Sequence, residues 1–409
     1  MAVDKNEQLK TMPIKKDIWD VVDFINMIFN TAVDMKASDI HIEPTEHFII
    51  IRFRIDGDFI IFDKIDREHI SVIATRLKVL SKIKIDENKK PQDGKIVFFY
   101  DKEKKNIDLR LSTLPTSYGE KVVMRILKPD TSLTNIQKLW FIETNLAKVA
   151  QALESSYGII LVAGPTGSWK STTLFGVLKN FNPLEYNIST LEDPIEYDIP
   201  FVNQSQVRPD IGYTFATGLR TLVRQDPDII MVWEIRDKET AVLAVEAALT
   251  GHLVLSTIHT NSATATIQRL INMWVESFLL ASAIKMVISQ RLVKRICQNC
   301  KQATEVKPHM KEKVTNYLKW IVDESQINSM VFYKWVWCEK CNQSGYKWRL
   351  WIHEVLIVED YLEPMIMTQK TANEMNVEAI QHGMITIVQD AIIKAALWDT
   401  TLDEAFTLI

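Results

Sequence analysis

Eight residues, Gly164-Pro165-Thr166-Gly167-Ser168-Trp169-Lys170-Ser171, have the order of a loop that cradles phosphate. In such a loop the backbone amides point at the β-phosphate, the lysine places a point charge on the β and γ oxygens, and the serine hydroxyl reaches a Mg²⁺ ion. Thr172 follows at the start of the next element and completes the set that would touch a nucleotide such as ATP. One position breaks the pattern. Trp169 stands directly before the lysine, where the backbone runs close to the phosphates and a side chain has little room.

Three further groups could take part in chemistry at that loop. Glu234 lies just past the apolar run Asp228 to Val232, and a carboxylate at a strand's C-terminal edge can hold a Mg²⁺ shell or orient water. Glu192 and Asp193 follow another apolar run and could shape the same site, while Glu196 sits beyond Pro194 in what could equally be an acidic turn. His259 follows the run Leu253 to Thr257, where an imidazole could sense a γ-phosphate or simply be structural. The four cysteines form two C-x-x-C pairs, Cys297/Cys300 and Cys338/Cys341. Each pair lets two thiolates converge on one ion, so a structural Zn²⁺ closed by four sulfurs is the economical reading, with redox pairs or plain core thiols as the alternatives.

The elements that must position these groups can be read from periodicity. The apolar runs Gly158 to Ala163, Asn187 to Leu191, Asp228 to Val232 and Leu253 to Thr257 alternate with helices, as in a parallel sheet covered on both faces. Helices and a cysteine-bearing insertion are expected to fill the remainder. Residues 1–130 read as a smaller α/β domain: helices over Val21 to Lys36 and Glu68 to Lys84, a hairpin around Asp56-Gly57, and strands at Asn106 to Thr113 and Glu120 to Leu127. A linker over 131–145 and a second domain over 146–409, with the cysteine element at 297–341, complete the expected organisation.

Composition narrows the function classes. A chain of 409 residues, 47% hydrophobic and 24% charged, is a multidomain globular protein and not a disordered or disulfide-stapled one. No apolar stretch reaches the roughly 18–20 residues of a membrane span, and the first residues lack a signal-peptide core, so a cytoplasmic location is expected. The net charge of -4 offers nucleic acid no global attraction. The segment Lys78 to Lys105 has nine lysines against five acids, but as a patch of mixed sign it reads as a solvated face, and no nucleic-acid partner is expected.

The segments GPTGSWKSTT, TLEDPIEY, GLRTLVRQDPDIIMVWEIRDKETA and LVLSTIHTN resemble, in order, the Walker A, aspartate box, Walker B and histidine box of the type II secretion and type IV pilus assembly ATPases. The resemblance runs from SDIHIEP to TTLDE and implies a RecA-like P-loop domain behind the smaller N-terminal α/β domain. It implies that Glu234 and Glu196 act on the attacking water, that Lys170 and His259 contact the γ-phosphate, and that Ser171 holds Mg²⁺. Arg110 and Arg125 resemble the arginines that reach a neighbouring subunit's nucleotide, which requires a ring, in this family a homohexamer; Arg220 and Arg224, expected in one helix, could also face the phosphates. The tetracysteine insertion resembles that of assembly-type motors. The implied function is a cytoplasmic ATPase, peripheral to the inner face of the cytoplasmic membrane, that powers pilin or pseudopilin assembly with an inner-membrane platform protein and the pilus or secretion machinery. Compared with longer members, the extra N-terminal docking domain is expected to be missing. The rival functions are a nucleic-acid-translocating ring and an inactive scaffold.

The scaffold rival follows from Trp169 taken literally. Trp140, Trp233, Trp274, Trp335, Trp337, Trp348, Trp351 and Trp398 likewise stand where the resembling proteins have glycine. The chain has 12 glycines and 11 tryptophans, whereas an average chain of this length has about 29 glycines. A gene in which UGA encodes glycine, translated with UGA as tryptophan, accounts for both, since 12 plus 9 is 21.

Overall fold

The computed structural model describes residues 12–15, 20–127, 135–195 and 199–409. Two compact units divide the chain, Met1–Pro129 and Asp130–Ile409. In the first, six strands, β1 (Asp39–Pro44), β2 (Phe48–Ile55), β3 (Asp58–Asp66), β4 (Gln92–Tyr100), β5 (Lys105–Thr116) and β6 (Gly119–Leu127), form an antiparallel sheet ordered β3-β2-β1-β6-β5-β4. Helices Val21–Asp34 and Ile70–Ser81 cover one face. The first helix begins at Asp20, whose carboxylate accepts from the Val22 amide, and buries Phe24, Ile25, Ile28, Phe29 and Ala32 at helical spacing. In β5 the alternation is strict: Ile107, Leu109 and Leu111 enter the core while Arg110 points out.

The second unit is built on a seven-stranded sheet ordered β15-β12-β7-β11-β10-β8-β9. Its strands are β7 (Gly158–Ala163), β8 (Ile188–Glu192), β9 (Asn203–Gln206), β10 (Ile229–Val232), β11 (Leu253–Ile258), β12 (Ile284–Ile296) and β15 (Tyr346–Ile357). All pair in parallel except β15, which runs antiparallel to β12. Ile159 and Leu161 of β7 pack in one core and Ile160 and Val162 in another, so the strand is apolar throughout because both faces are covered. Two short strands, β13 (Lys301–Thr304) and β14 (Phe332–Trp335), form a separate two-stranded antiparallel sheet beside the cysteines.

The expectation of helices around the cysteine insertion is only partly met. β12 and β15 are long strands whose charged positions, including Arg291, Lys294 and Arg295 in β12, mask the period of two. Tertiary packing decided there: β12 lies between β7 and the edge strand β15, a placement the local sequence does not announce. Among the described residues no helix is long and apolar enough to cross a membrane.

Candidate nucleotide site and metal centre

β7 ends at Ala163 and the chain turns at Gly164 with φ 154°. A Cβ at Gly164 would lie 2.6 Å from both the Gln290 carbonyl oxygen and Ser168 Oγ, so only glycine allows this approach. Pro165, Thr166 and Gly167 form the exposed tip, and Ser168 is buried, its hydroxyl donating to the Pro165 carbonyl at 2.9 Å. Helix Lys170–Leu178 begins directly behind, with Ser171 and Thr172 half-buried in its first turn. A helix N-terminus facing a glycine-bearing loop is a ready site for phosphate. Trp169 takes the N-cap position at φ 62°, ψ 38°, and its ring packs on Trp351 at 5.0 Å with the Arg349 guanidinium 5.2 Å above it.

The three groups expected to act on the γ-phosphate converge. Lys170 Nζ donates to the carbonyls of Gly164 (3.0 Å) and Pro165 (3.3 Å), occupying the cradle itself, and lies 3.3 Å from His259 Nδ1. His259 Nε2 is 2.9 Å from Glu234 Oε1. With its proton on Nε2, the imidazole accepts from the lysine and donates to the carboxylate, a continuous relay. Topology explains the meeting: β7, β11 and β10 are consecutive in the sheet, so residues just past their C-terminal ends are neighbours. Burial pushes the Lys170 ammonium down to about 8, with Glu234 opposing the shift and Arg291 adding to it.

Arg236, which the spacing argument overlooked, completes the group. Its Nε donates to Glu234 Oε2 at 2.7 Å and the guanidinium lies 3.9 Å from Asp193. The signal was available, since Arg236 stands two residues after Glu234 in the same strand-end loop. Glu192 ends β8 beside β10, buried and held by Thr190 Oγ1 (2.6 Å) and Gln204 Nε2 (2.8 Å). Glu196 lies outside the described residues. Helix Phe215–Leu222 contains Arg220 but ends before Arg224, so the two do not share it as expected. Arg220 pairs with Glu239 at 2.5 Å and not with the loop, because the two helices bearing them pack together.

Arg110 and Arg125 face each other across β5 and β6. Register extends the row to Lys95 on one side and to the buried Asp39 and to Arg54 on the other, so one acid lies among four cations in the row itself, with Asp108 beside it on the same face. Arg125 Nε holds Asp39 at 3.0 Å with its side chain 64% exposed. Lys95 pairs with Asp108 at 2.6 Å and Arg54 lies 4.0 Å from Asp39, so among the described residues Arg110 is the cation of the row without an ion-pair partner, set directly opposite the like charge of Arg125. The row is suited to an anion.

The four cysteines gather although 37 residues (positions 301–337) separate the pairs. Their sulfurs lie within 4.8 Å of one another, with 297–338 and 300–341 at 3.9 Å and 338–341 at 3.7 Å. A tetrahedron of zinc–sulfur bonds near 2.3 Å has edges of about 3.8 Å. The spacing therefore fits one Zn²⁺. No disulfide competes, and the Gly345 amide (3.3 Å) and Asn299 Nδ2 (3.5 Å) donate to Cys341 and Cys338, as an outer shell does for thiolates.

A family model described as Type II/IV secretion system protein matches residues 15–407. The chain belongs to this family. Among relatives of this secretion family, it is 42% identical to the type IV pilus assembly ATPase PilB of Thermus thermophilus, over 98% of this chain and 44% of that protein. It is 40% identical to PilB of Myxococcus xanthus (98% of this chain, 70% of that protein) and 40% to the type II secretion system ATPase E of Vibrio cholerae (94% and 74%). The chain thus spans under half of the Thermus protein and about seven tenths of the other two. The Legionella pneumophila ATPase DotB shares the fold, with a TM-score of 0.68 at 20% identity over 97% of this chain and 98% of that one. The pilus retraction motor PilT with bound ADP aligns at a TM-score of 0.64 and 26% identity, over 94% and 96%. Within the secretion family, then, this chain carries a phosphate loop with a tryptophan where the geometry of the loop asks for glycine.

Proposed function

We propose that the chain is an ATP hydrolase powering pilin or pseudopilin assembly. The convergence of Lys170, His259 and Glu234 at the ends of three consecutive parallel strands carries this reading. Lys170 would leave its own loop carbonyls for the β and γ oxygens of ATP, Ser171 would hold Mg²⁺, and Glu234, with Glu196, would orient the water that attacks the γ-phosphorus. His259 bridges Lys170 and Glu234, so loss of the γ-phosphate is felt by the carboxylate through one imidazole. Arg236 positions Glu234. The Mg²⁺ supplies charge neutralisation on the phosphate oxygens when bound.

The exposed row containing Arg110 and Arg125 serves the nucleotide of an adjacent subunit, which makes the working form a homohexamer at the cytoplasmic face of a membrane platform protein. The names of the PilB and secretion ATPase relatives, and the ADP in the PilT structure, support the ATP hydrolase and its role in assembly. Cys297, Cys300, Cys338 and Cys341 would hold one Zn²⁺, tying β12 to the two-stranded sheet β13–β14. The test is ATP turnover with glycine at position 169. Glu234→Gln should keep nucleotide binding and lose about 10²–10⁴-fold in kcat, whereas turnover unaffected by Glu234→Gln and by Lys170→Ala refutes the site.

A further inference from the structure

Five tryptophans occupy backbone that side chains avoid. Trp140 (φ 61°), Trp169 (62°), Trp274 (64°), Trp348 (75°) and Trp398 (69°) lie in the left-handed region, where a bulky residue is an outlier. Among the described residues, fourteen non-glycine residues share that region, and five of them are tryptophan, a residue that supplies 11 of the chain's 409 positions. Trp320, 74% exposed, keeps an ordinary φ.

Local structure at each position asks for glycine. Trp274 follows helix Ala263–Asn272 and its cap Met273; its amide donates to the Ile271 carbonyl, and the Val275 amide donates to the Leu270 carbonyl. That hydrogen-bond pair is the Schellman ending, in which glycine is the usual left-handed residue. Trp398 repeats it after helix Ile387–Ala396, with its own amide on Ala395 and the Asp399 amide on Lys394. Trp348 lies at a β-bulge: Lys294 pairs with Arg349 and Ile296 with Tyr346, so Lys347 and Trp348 together face Arg295. Glycine in the left-handed region is what such a bulge employs. Trp140 is the first residue past the cap of the short turn Ile136–Lys138, and Trp169 closes the phosphate loop.

Burial adds a sixth position. Trp351 is 1% exposed, yet its indole N–H has no hydrogen-bond partner among the described residues. Its ring and that of Trp169 fill space together behind the loop. A glycine at both positions removes the orphaned donor and both indoles, and it frees the residue 169 backbone to approach a phosphate.

We infer that the native protein carries glycine at 140, 169, 274, 348, 351 and 398, and at 233, 335 and 337 by the same codon, the source organism reading UGA as glycine. At 169 the inference rests on reading the loop as a nucleotide cradle; at 274, 348 and 398 it rests on the backbone alone. In the gene, the nine positions should carry UGA while Trp19 and Trp320 carry UGG. Peptides from protein purified from its own organism should have glycine masses at 274 and 398. Tryptophan masses there, or UGG at all eleven positions, overturn the inference. ATP binding to the nine-glycine form, beside the form with tryptophan, separates this from the functional reading: about tenfold or tighter binding by the glycine form supports both. Glycine masses without ATP binding uphold the glycines and remove the nucleotide site, and tryptophan masses in a chain that binds ATP do the reverse.

Discussion

The left-handed residue after helix Ala263–Asn272 lends itself to a measurement that isolates backbone from side chain. Trp274 is 77% exposed, and its remaining interaction of note is Lys238 Nζ at 5.9 Å from the ring. Trp274→Gly and Trp274→Ala both remove that contact and the same exposed ring, so their difference reports φ alone. Alanine at φ 64° suffers about 1–2 kcal/mol of steric cost. Glycine avoids it but has a more disordered unfolded chain, worth about 0.5–1 kcal/mol against it. Glycine should therefore exceed alanine by about 0.5–1 kcal/mol, a rise of about 1–2 °C in Tm for a unit of this size. At Trp320, whose φ is ordinary, the order should invert, glycine trailing alanine by about 0.5–1 kcal/mol. Urea denaturation of the four variants, followed by circular dichroism, reads both differences. Alanine equal to or better than glycine at 274 would refute the argument that the helix ending, and not the indole, dictates the residue there.

Other perturbations probe other parts of the chain. Lys170 with its ammonium pushed down to about 8 is charged below that pH, so nucleotide binding is fully present there and is lost as pH rises through 8, up to about tenfold per unit. Calorimetry at pH 9 in two buffers of different ionisation heat should show proton uptake on binding, absent in Lys170→Met. Cys338→Ser should drop zinc content from one per chain to near none, and in the unaltered protein free zinc at a thousand times its Kd should add about 4 kcal/mol to stability, read as the Tm lost on chelation. Lys394, buried with its Nζ 2.6 Å from Asp390 and 2.8 Å from the Trp351 carbonyl, should cost about 3–5 kcal/mol when changed to methionine, because Asp390 is left charged in the core. Adding Asp390→Asn, which keeps an acceptor for the His353 amide, should recover much of the loss in urea denaturation.

The parallel strands β7, β8, β10 and β11 were legible because a strand buried on both faces is short and mainly apolar, as in β7 and β10, with only small hydroxyl residues admitted inside β8 and β11. The phosphate loop was legible because its chemistry is local: amides, a lysine and a hydroxyl within eight residues. β12 and β15 were not, since their pairing joins segments about sixty residues apart and their solvent-facing charges hide the alternation.

What the sequence determined by itself is the set of reactive groups and the order in which they occur. It named Lys170, Glu234, His259 and the four cysteines, and its glycine shortage flagged the tryptophans. Only the tertiary structure decided that Lys170, His259 and Glu234 touch, because adjacency in a parallel sheet depends on strand order, which crossover helices set and local spacing does not encode. It alone also enlisted Arg236, paired Arg220 with Glu239 of a neighbouring helix, closed four sulfurs to the edge length of a zinc tetrahedron, and gave five tryptophans a backbone angle that belongs to glycine. Dihedral angles and cross-strand neighbours arise from packing the whole chain, so no window of sequence contains them.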